Sequence, residues 1–436
     1  MIIGLIAMSG VRVRTQELAE LGVTLPGFVN RGEVVASLPS LGLLTVAALT
    51  PKDVEVEYIE IDQLPKDKSE LQKFDLVGIS SFTARINAAY KLADMYMELG
   101  IPVVLGGIHV SLMPEEAQNH ADSIVLYGAE GAWPKLTEDF KKGQIKPRYE
   151  GLKSDVFSPE NYVVPRFDFI KGRSYNRITI QTSRGCPLNC EFCAASLRIT
   201  SKFQQKPVEL VVNEIEKALE YTEHPFFEFA DDNTFVNKKW GKDFLKAITP
   251  LNINWFTETD ISVADDDELL DLMAKSGCRQ ILIGFESPSA DGLQGMNPND
   301  WKLKRHKSYI ESINKIQSKG VSVNGCFIVG LDSDTPETFN QIKQFADEAK
   351  LIEIQITVYT PFPGTPLYHR LKNENRLLQD ENWDRCTLFD VNFKPKNMSL
   401  EQLEDGIKWL FKNLYNEDEF LKRKRYYMEC IKNIDD

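Results

Sequence analysis

Twice along the chain, short apolar runs alternate with stretches of helical period. A chain built this way folds as parallel sheets flanked by helices. In the first block, residues 1–142, the run Ile2–Met8 is followed by Val54, Val56 and Tyr58 alternating with Glu55 and Glu57, then by runs at 75–81, 101–105 and Ser123–Leu126. Helical spacing fills the gaps at 40–49, at Ile86, Ala89, Tyr90, Ala93 and Met97, and at 133–142. The pattern predicts a doubly wound sheet that binds ligands at the C-terminal ends of its strands. Those ends carry Met8-Ser9-Gly10, Ser80-Ser81-Phe82-Thr83, Gly106-Gly107-Ile108-His109 and Tyr127-Gly-Ala-Glu-Gly131. Glycine admits a ligand close to the backbone, and hydroxyls can bond its polar edge. The connection at 11–39 has a length that is uncommon unless functional.

Residues 143–175, with Pro147, Pro159 and Pro165 and no clean period, read as a linker. The second block, 176–366, has strands expected at 178–182, Phe226–Phe229, 254–258, 280–283, 322–327 and 354–359, separated by longer helices. Six units are too few for a closed eight-fold barrel and suit an open, partial (β/α)6 barrel. Residues 367–436 are expected to be a mainly helical extension, with Ser399 and Gln402 as a capping box and an apolar stripe at Leu400, Leu403, Ile407, Leu410, Phe411 and Leu414. The basic run Lys422-Arg-Lys-Arg425 reads as a solvated helix face.

A net charge of −13 without a long basic block argues against non-specific nucleic-acid binding. No apolar run approaches the roughly 20 residues of a membrane span. The apolar N-terminus lacks a basic flank, so a cytoplasmic address is expected. Seven cysteines are an odd count, against a disulfide framework. Three of them are crowded into Cys186-Pro-Leu-Asn-Cys-Glu-Phe-Cys193, a CxxxCxxC spacing after the first barrel strand. Three thiolates on one loop suit an iron–sulfur cubane with one iron left open. A mononuclear zinc site wants a fourth ligand, and the nearest further Cys or His is His224. Cys278 and Cys326 are isolated and read as small buried hydrophobes.

On these residues the second block resembles the radical S-adenosylmethionine (SAM) superfamily. The resemblance implies a [4Fe-4S] cluster on Cys186, Cys190 and Cys193, with Phe192 near the adenine. It implies that the open iron chelates the methionine moiety of SAM, which is split reductively to give a 5′-deoxyadenosyl radical. It places Asp231 and Asp232, after the second strand, near the methionine ammonium. It sets Glu286 and Ser287 near the ribose and Val329, in Cys326-Phe-Ile-Val-Gly330, near the adenine. Residues Pro361-Phe-Pro-Gly-Thr-Pro366 resemble a segment common in one branch of the family. That branch often ends its third strand with arginine, whereas this chain has Thr257-Glu-Thr-Asp260, so no arginine clamp is assigned. A low-potential donor, flavodoxin or ferredoxin, is implied.

A Rossmann-like domain directly ahead of such a core resembles the cobalamin-binding subclass. That resemblance assigns Ser9, Ser80, Ser81, Phe82, Gly106, Gly107 and Glu130 to the cobalamin cradle. The DxHxxG motif of other cobalamin proteins is absent, as it usually is in the subclass. His109 follows Gly-Gly at the crevice edge and is more readily a hydrogen-bonded residue than a cobalt or substrate contact. No GxGxxG follows the first strand, which disfavours a nicotinamide or flavin site. The resemblance implies C-methylation of a small-molecule or lipid substrate. Cyclisation or rearrangement without methyl transfer is the alternative. A cluster-bearing regulator without turnover is a third reading, disfavoured by the polar strand ends.

Overall fold

The computed structural model describes residues 1–21, 38–173, 175–222 and 226–435, so most of the long connection at 11–39 lies outside the described residues. The first sheet is built from β1 (Ile2–Met8), β2 (Glu55–Ile61), β3 (Leu76–Ser81), β4 (Val103–Gly106), β5 (Ser123–Leu126) and β6 (Arg148–Glu150), ordered β2-β1-β3-β4-β5-β6 and all parallel. β1 lies between β2 and β3 and is covered on both faces, which is why it is an unbroken apolar run. The strand order reverses at β1, so a crevice opens between the ends of β1 and β3, beside Ser9 and Ser80. β6 falls inside the stretch expected to be linker. Only Tyr149 of its three residues is buried, so the sequence carries no readable strand period there.

In the second block β7 (Ile178–Ile180) leads into a two-stranded antiparallel pair, β8 (Ser183–Arg184) with β9 (Gln204–Gln205), which ties off the cysteine loop at its base. The sheet continues with β10 (Phe226–Phe229), β11 (Asn254–Thr259), β12 (Cys278–Glu286), β13 (Ser322–Val329) and β14 (Glu353–Val358). The order β7-β10-β11-β12-β13-β14 is parallel throughout, and β14 does not pair back to β7, so the barrel is open. β12 runs beyond the expected 280–283. Its register slips between Gly284 and Glu286, and Glu286 takes a left-handed φ of 64°. Such a bulge re-aims a side chain at the strand end.

A single apolar core runs from Leu5 and Trp133 in the first block through Phe229, Phe285 and Phe327 in the second. The opposite face of the first sheet has its own core, which takes in Tyr368, Trp383 and Cys386 from the C-terminal region. That region is helical at Pro366–Asn373, Leu400–Leu414 and Glu417–Asp435 but irregular over most of 374–399, less helical than expected. The capping box is present, with the Ser399 amide donating to Gln402 Oε1 at 2.8 Å and the Gln402 amide to Ser399 Oγ at 3.1 Å. Among the described residues, no helix is long and apolar enough to cross a membrane.

Candidate active site

The C-terminal ends of both sheets face one cavity of about 1050 Å³. From the first sheet, Ser9, Ser80, Ser81, Phe82, Gly106, Gly107 and Glu130 line it. From the second come Cys186, Cys190, Phe192 and Cys193, followed by Asp232, Glu258, Glu286, Cys326 and Tyr359 at successive strand ends. Asp231, Ser287 and Val329 do not reach it.

The cysteine loop is held by its own sequence. Arg198 donates from Nε to the Cys193 carbonyl at 2.7 Å and from Nη2 to the Cys190 carbonyl at 2.8 Å. The Gly185 amide donates to Ser196 Oγ at 2.8 Å. Burial pushes the Cys186 thiol up to about 11 and the Cys193 thiol to about 12, and raises Cys190 as well. Neighbouring thiols and Asp232 reinforce the shift at Cys186 and Cys193. Among the described residues no three His, Cys, Asp or Glu groups converge as a single metal ion requires. Three cysteines on one loop are instead the donor set of a cluster with several iron atoms. The Asn297 amide has no oxygen partner and faces Cys190, a donor suited to sulfur. The residues therefore fit the cluster.

The adjacent carboxylates Asp231 and Asp232 separate. Asp231 accepts from the Thr182 amide at 2.8 Å, Thr182 Oγ1 at 2.5 Å, the Ser183 amide at 2.7 Å and Thr234 Oγ1 at 2.9 Å. It is buried and knits the ends of β7 and β10, so its assignment to the SAM ammonium is corrected to a structural role. Asp232 lines the cavity and accepts from Ser196 Oγ at 2.8 Å and the Leu197 amide at 3.1 Å. Ser287 is also corrected: its hydroxyl accepts from the Ser289 amide at 3.2 Å and organises the next turn. Val329 faces the helices, because side chains alternate along β13 and Cys326 and Ile328 take the cavity side.

Glu286 keeps its place at the cavity, and Lys302 Nζ is bonded to its carboxylate and to the Gly284 carbonyl. Burial opposes the charge on Lys302, but Glu286 and the Cys190 sulfur outweigh it and raise its pKa. Phe192 meets the Tyr359 ring edge to face at 6.1 Å. Glu258 is accessible from the cavity but enclosed by protein. Burial, with Glu228, Asp232 and Glu286 nearby, pushes its carboxyl up to about 8.

At the first sheet, Gly107 has φ +115°, and a Cβ there would sit 3.3 Å from Ser80 Oγ. A side chain would narrow the cradle between β3 and β4, so the backbone fits close approach of a nucleotide tail. Glu130 reaches the cavity, but Arg184, two residues before Cys186, donates from Nη2 to its carboxylate at 3.0 Å. It links the first sheet to the cysteine loop. His109 is buried, with Nδ1 3.3 Å from Thr83 Oγ1 and Nε2 3.3 Å from Glu116 Oε1, the hydrogen-bonded state expected of it. Sequence reasoning missed Arg184, Arg198, Glu258 and Lys302. Only the arginines beside the cysteine motif carried any local signal.

Family models match a Radical SAM superfamily domain at residues 180–346, a B12 binding domain at 28–136 and a domain of unknown function (DUF4070) at 365–435. The bacteriochlorophyllide d C-12(1)-methyltransferase of Chlorobaculum tepidum is 27% identical over 405 residues, covering 91% of this chain and 86% of that protein. An anaerobic magnesium-protoporphyrin IX monomethyl ester cyclase of Cereibacter sphaeroides is 25% identical, covering 87% and 67%. Among solved structures, the radical S-adenosylmethionine methyltransferase TsrM of Kitasatospora setae superposes with a TM-score of 0.68 at 15% identity, covering 99% of each chain. The fold is thus shared end to end. With a B12 binding domain ahead of a radical SAM core, the chain belongs to the cobalamin-binding radical SAM enzymes.

Proposed function

We propose that this enzyme methylates an unactivated carbon of a small-molecule or lipid substrate, using a [4Fe-4S] cluster, SAM and cobalamin. The observation that carries the reading is the single cavity shared by the three-cysteine loop and the Ser/Gly-rich ends of the first sheet. Cys186, Cys190 and Cys193 would hold the cluster. Phe192, Asp232 and Glu286 would hold SAM. Ser9, Ser80, Ser81, Phe82, Gly106 and Gly107 would cradle cobalamin. When bound, these groups supply a radical that removes hydrogen from carbon and a methyl group to replace it.

The chain's own residues position and shield. Arg198 fixes the carbonyls of the cysteine loop, and Asp232 fixes the segment after it. Glu286 is paired with Lys302 at the cavity wall, where a carboxylate can accept from hydroxyls. The apolar wall of Leu112, Phe157, Leu188, Ile199 and Phe362 excludes water from reactive carbon centres. A low-potential reductant such as flavodoxin or ferredoxin completes the proposal.

The test is product mass. Reconstituted enzyme, given SAM, methylcobalamin, a low-potential reductant and a panel of tetrapyrrole, lipid and other candidate substrates, is expected to return a product about 14 daltons heavier. The cyclase among the relatives favours a second reading, cyclisation or rearrangement. A converted substrate that gains no methyl mass would establish it instead.

A further inference from the structure

The start of the C-terminal region contacts both sheets. Arg370, in the helix Pro366–Asn373, donates from Nη2 to Glu191 Oε1 at 2.9 Å and from Nε to Glu191 Oε2 at 3.2 Å. Its Nη1 donates to Asp332 Oδ2 at 2.6 Å. The Leu367 amide donates to the Glu191 carbonyl at 3.2 Å, and the Tyr359 hydroxyl also donates to the Glu191 carboxylate. Glu191 lies between Cys190 and Cys193. Two residues before Arg370, Tyr368 packs on Trp383 at 5.5 Å. Trp383 Nε1 donates to Glu116 Oε2 at 2.9 Å, and its ring meets His109 at 5.5 Å, at the first sheet's crevice. Further on, buried Asp390 accepts from the amides of Arg14 at 2.8 Å and Thr15 at 2.7 Å.

We propose that Arg370 is a positioning residue for the three-cysteine loop, acting through Glu191, and that residues 366–390 form a clasp holding that loop against the first sheet. The proposal rests on the cluster assignment above. A forked guanidinium both supplies a balancing positive charge and fixes the rotamer of a carboxylate, whereas an ammonium supplies only the charge. Without Arg370, the Glu191 negative charge stands beside the cluster uncompensated, and adding an electron becomes harder. The loop also loses its link to the clasp.

The test uses the full chain, reconstituted anaerobically, as wild type, Arg370→Gln, Arg370→Lys and Glu191→Gln. Iron and sulfide content, midpoint potential, and the electron paramagnetic resonance of the reduced cluster with and without SAM are measured, with corrin absorption as the control for the first domain. Arg370→Gln is expected to show about a tenfold lower reduced-to-oxidised ratio at the wild-type midpoint, equivalent to about 59 mV for one electron. Its resonance with SAM should be altered while corrin absorption is unchanged. Arg370→Lys should restore the potential but not the resonance. Glu191→Gln should shift the potential the opposite way, and this decides the matter if Arg370→Gln retains no cluster. A wild-type potential in Glu191→Gln, or wild-type potential and resonance in Arg370→Gln, overturns the clasp while leaving the function standing. A wild type that takes up no cluster overturns both.

Discussion

Asp231 and Asp232 are neighbours of the same type, yet one is fastened between two strands and the other faces the cavity. Four donors converge on Asp231, two of them backbone amides. Asp231→Ala leaves buried donors unmatched and should cost about 3 kcal/mol of stability, measured by denaturant unfolding. Glu258 gives a pH-dependent prediction. In the folded chain it keeps its proton up to about pH 8, whereas the unfolded chain releases it near a roughly ordinary value of ~4.3. Between those limits the unfolded state binds fewer protons, so stability falls as pH rises. Glu258→Gln removes that loss. The variant should exceed wild type by about 1 kcal/mol above pH 8, after allowance for water in the cavity, and the gain should vanish toward pH 4. The grouping of Cys186, Cys190 and Cys193 at the cavity was legible because all three sit on one loop, so spacing alone brings them together. Ser287 and Val329 were misplaced because a bulge and strand alternation decide which side chains face inward, and neither is written locally.

The strand–helix alternation was legible wherever an element was long enough to show its period. Both sheets, the open barrel and the capping box at Ser399 follow from it. β6 was not legible, because three residues with one buried side chain show no period. The irregular 374–399 segment was read as helical because its contacts are long-range: Asp390 meets Thr15 across 375 positions. Turns are stricter than they look in sequence. Gly277 sits at φ +91°, and a Cβ there would lie 1.9 Å from the Ile253 carbonyl oxygen. Gly277→Ala should therefore destabilise the chain by about 2–4 kcal/mol, seen as a lower midpoint in thermal unfolding, because both the left-handed conformation and the contact are lost to any side chain.

At the scale of the whole molecule, the two sheets converge on one cavity and are fastened across it. Glu130 with Arg184 joins the first sheet to the cysteine loop, and Trp383 and Asp390 bring the C-terminal region onto the first domain. The order of the two domains was legible from their separate patterns. The ion pair that ties them, Glu130 with Arg184, was not, since only the fold brings its partners together. If the three thiols hold the cluster, splitting SAM depends on each of them, while the first sheet's cradle does not. The decisive measurement incubates anaerobically reconstituted wild type and Cys190→Ala with dithionite and SAM and follows 5′-deoxyadenosine by chromatography. Wild type is expected to form it and the variant to form none, with equal corrin absorption in both. A variant that forms it at the wild-type rate would contradict the account.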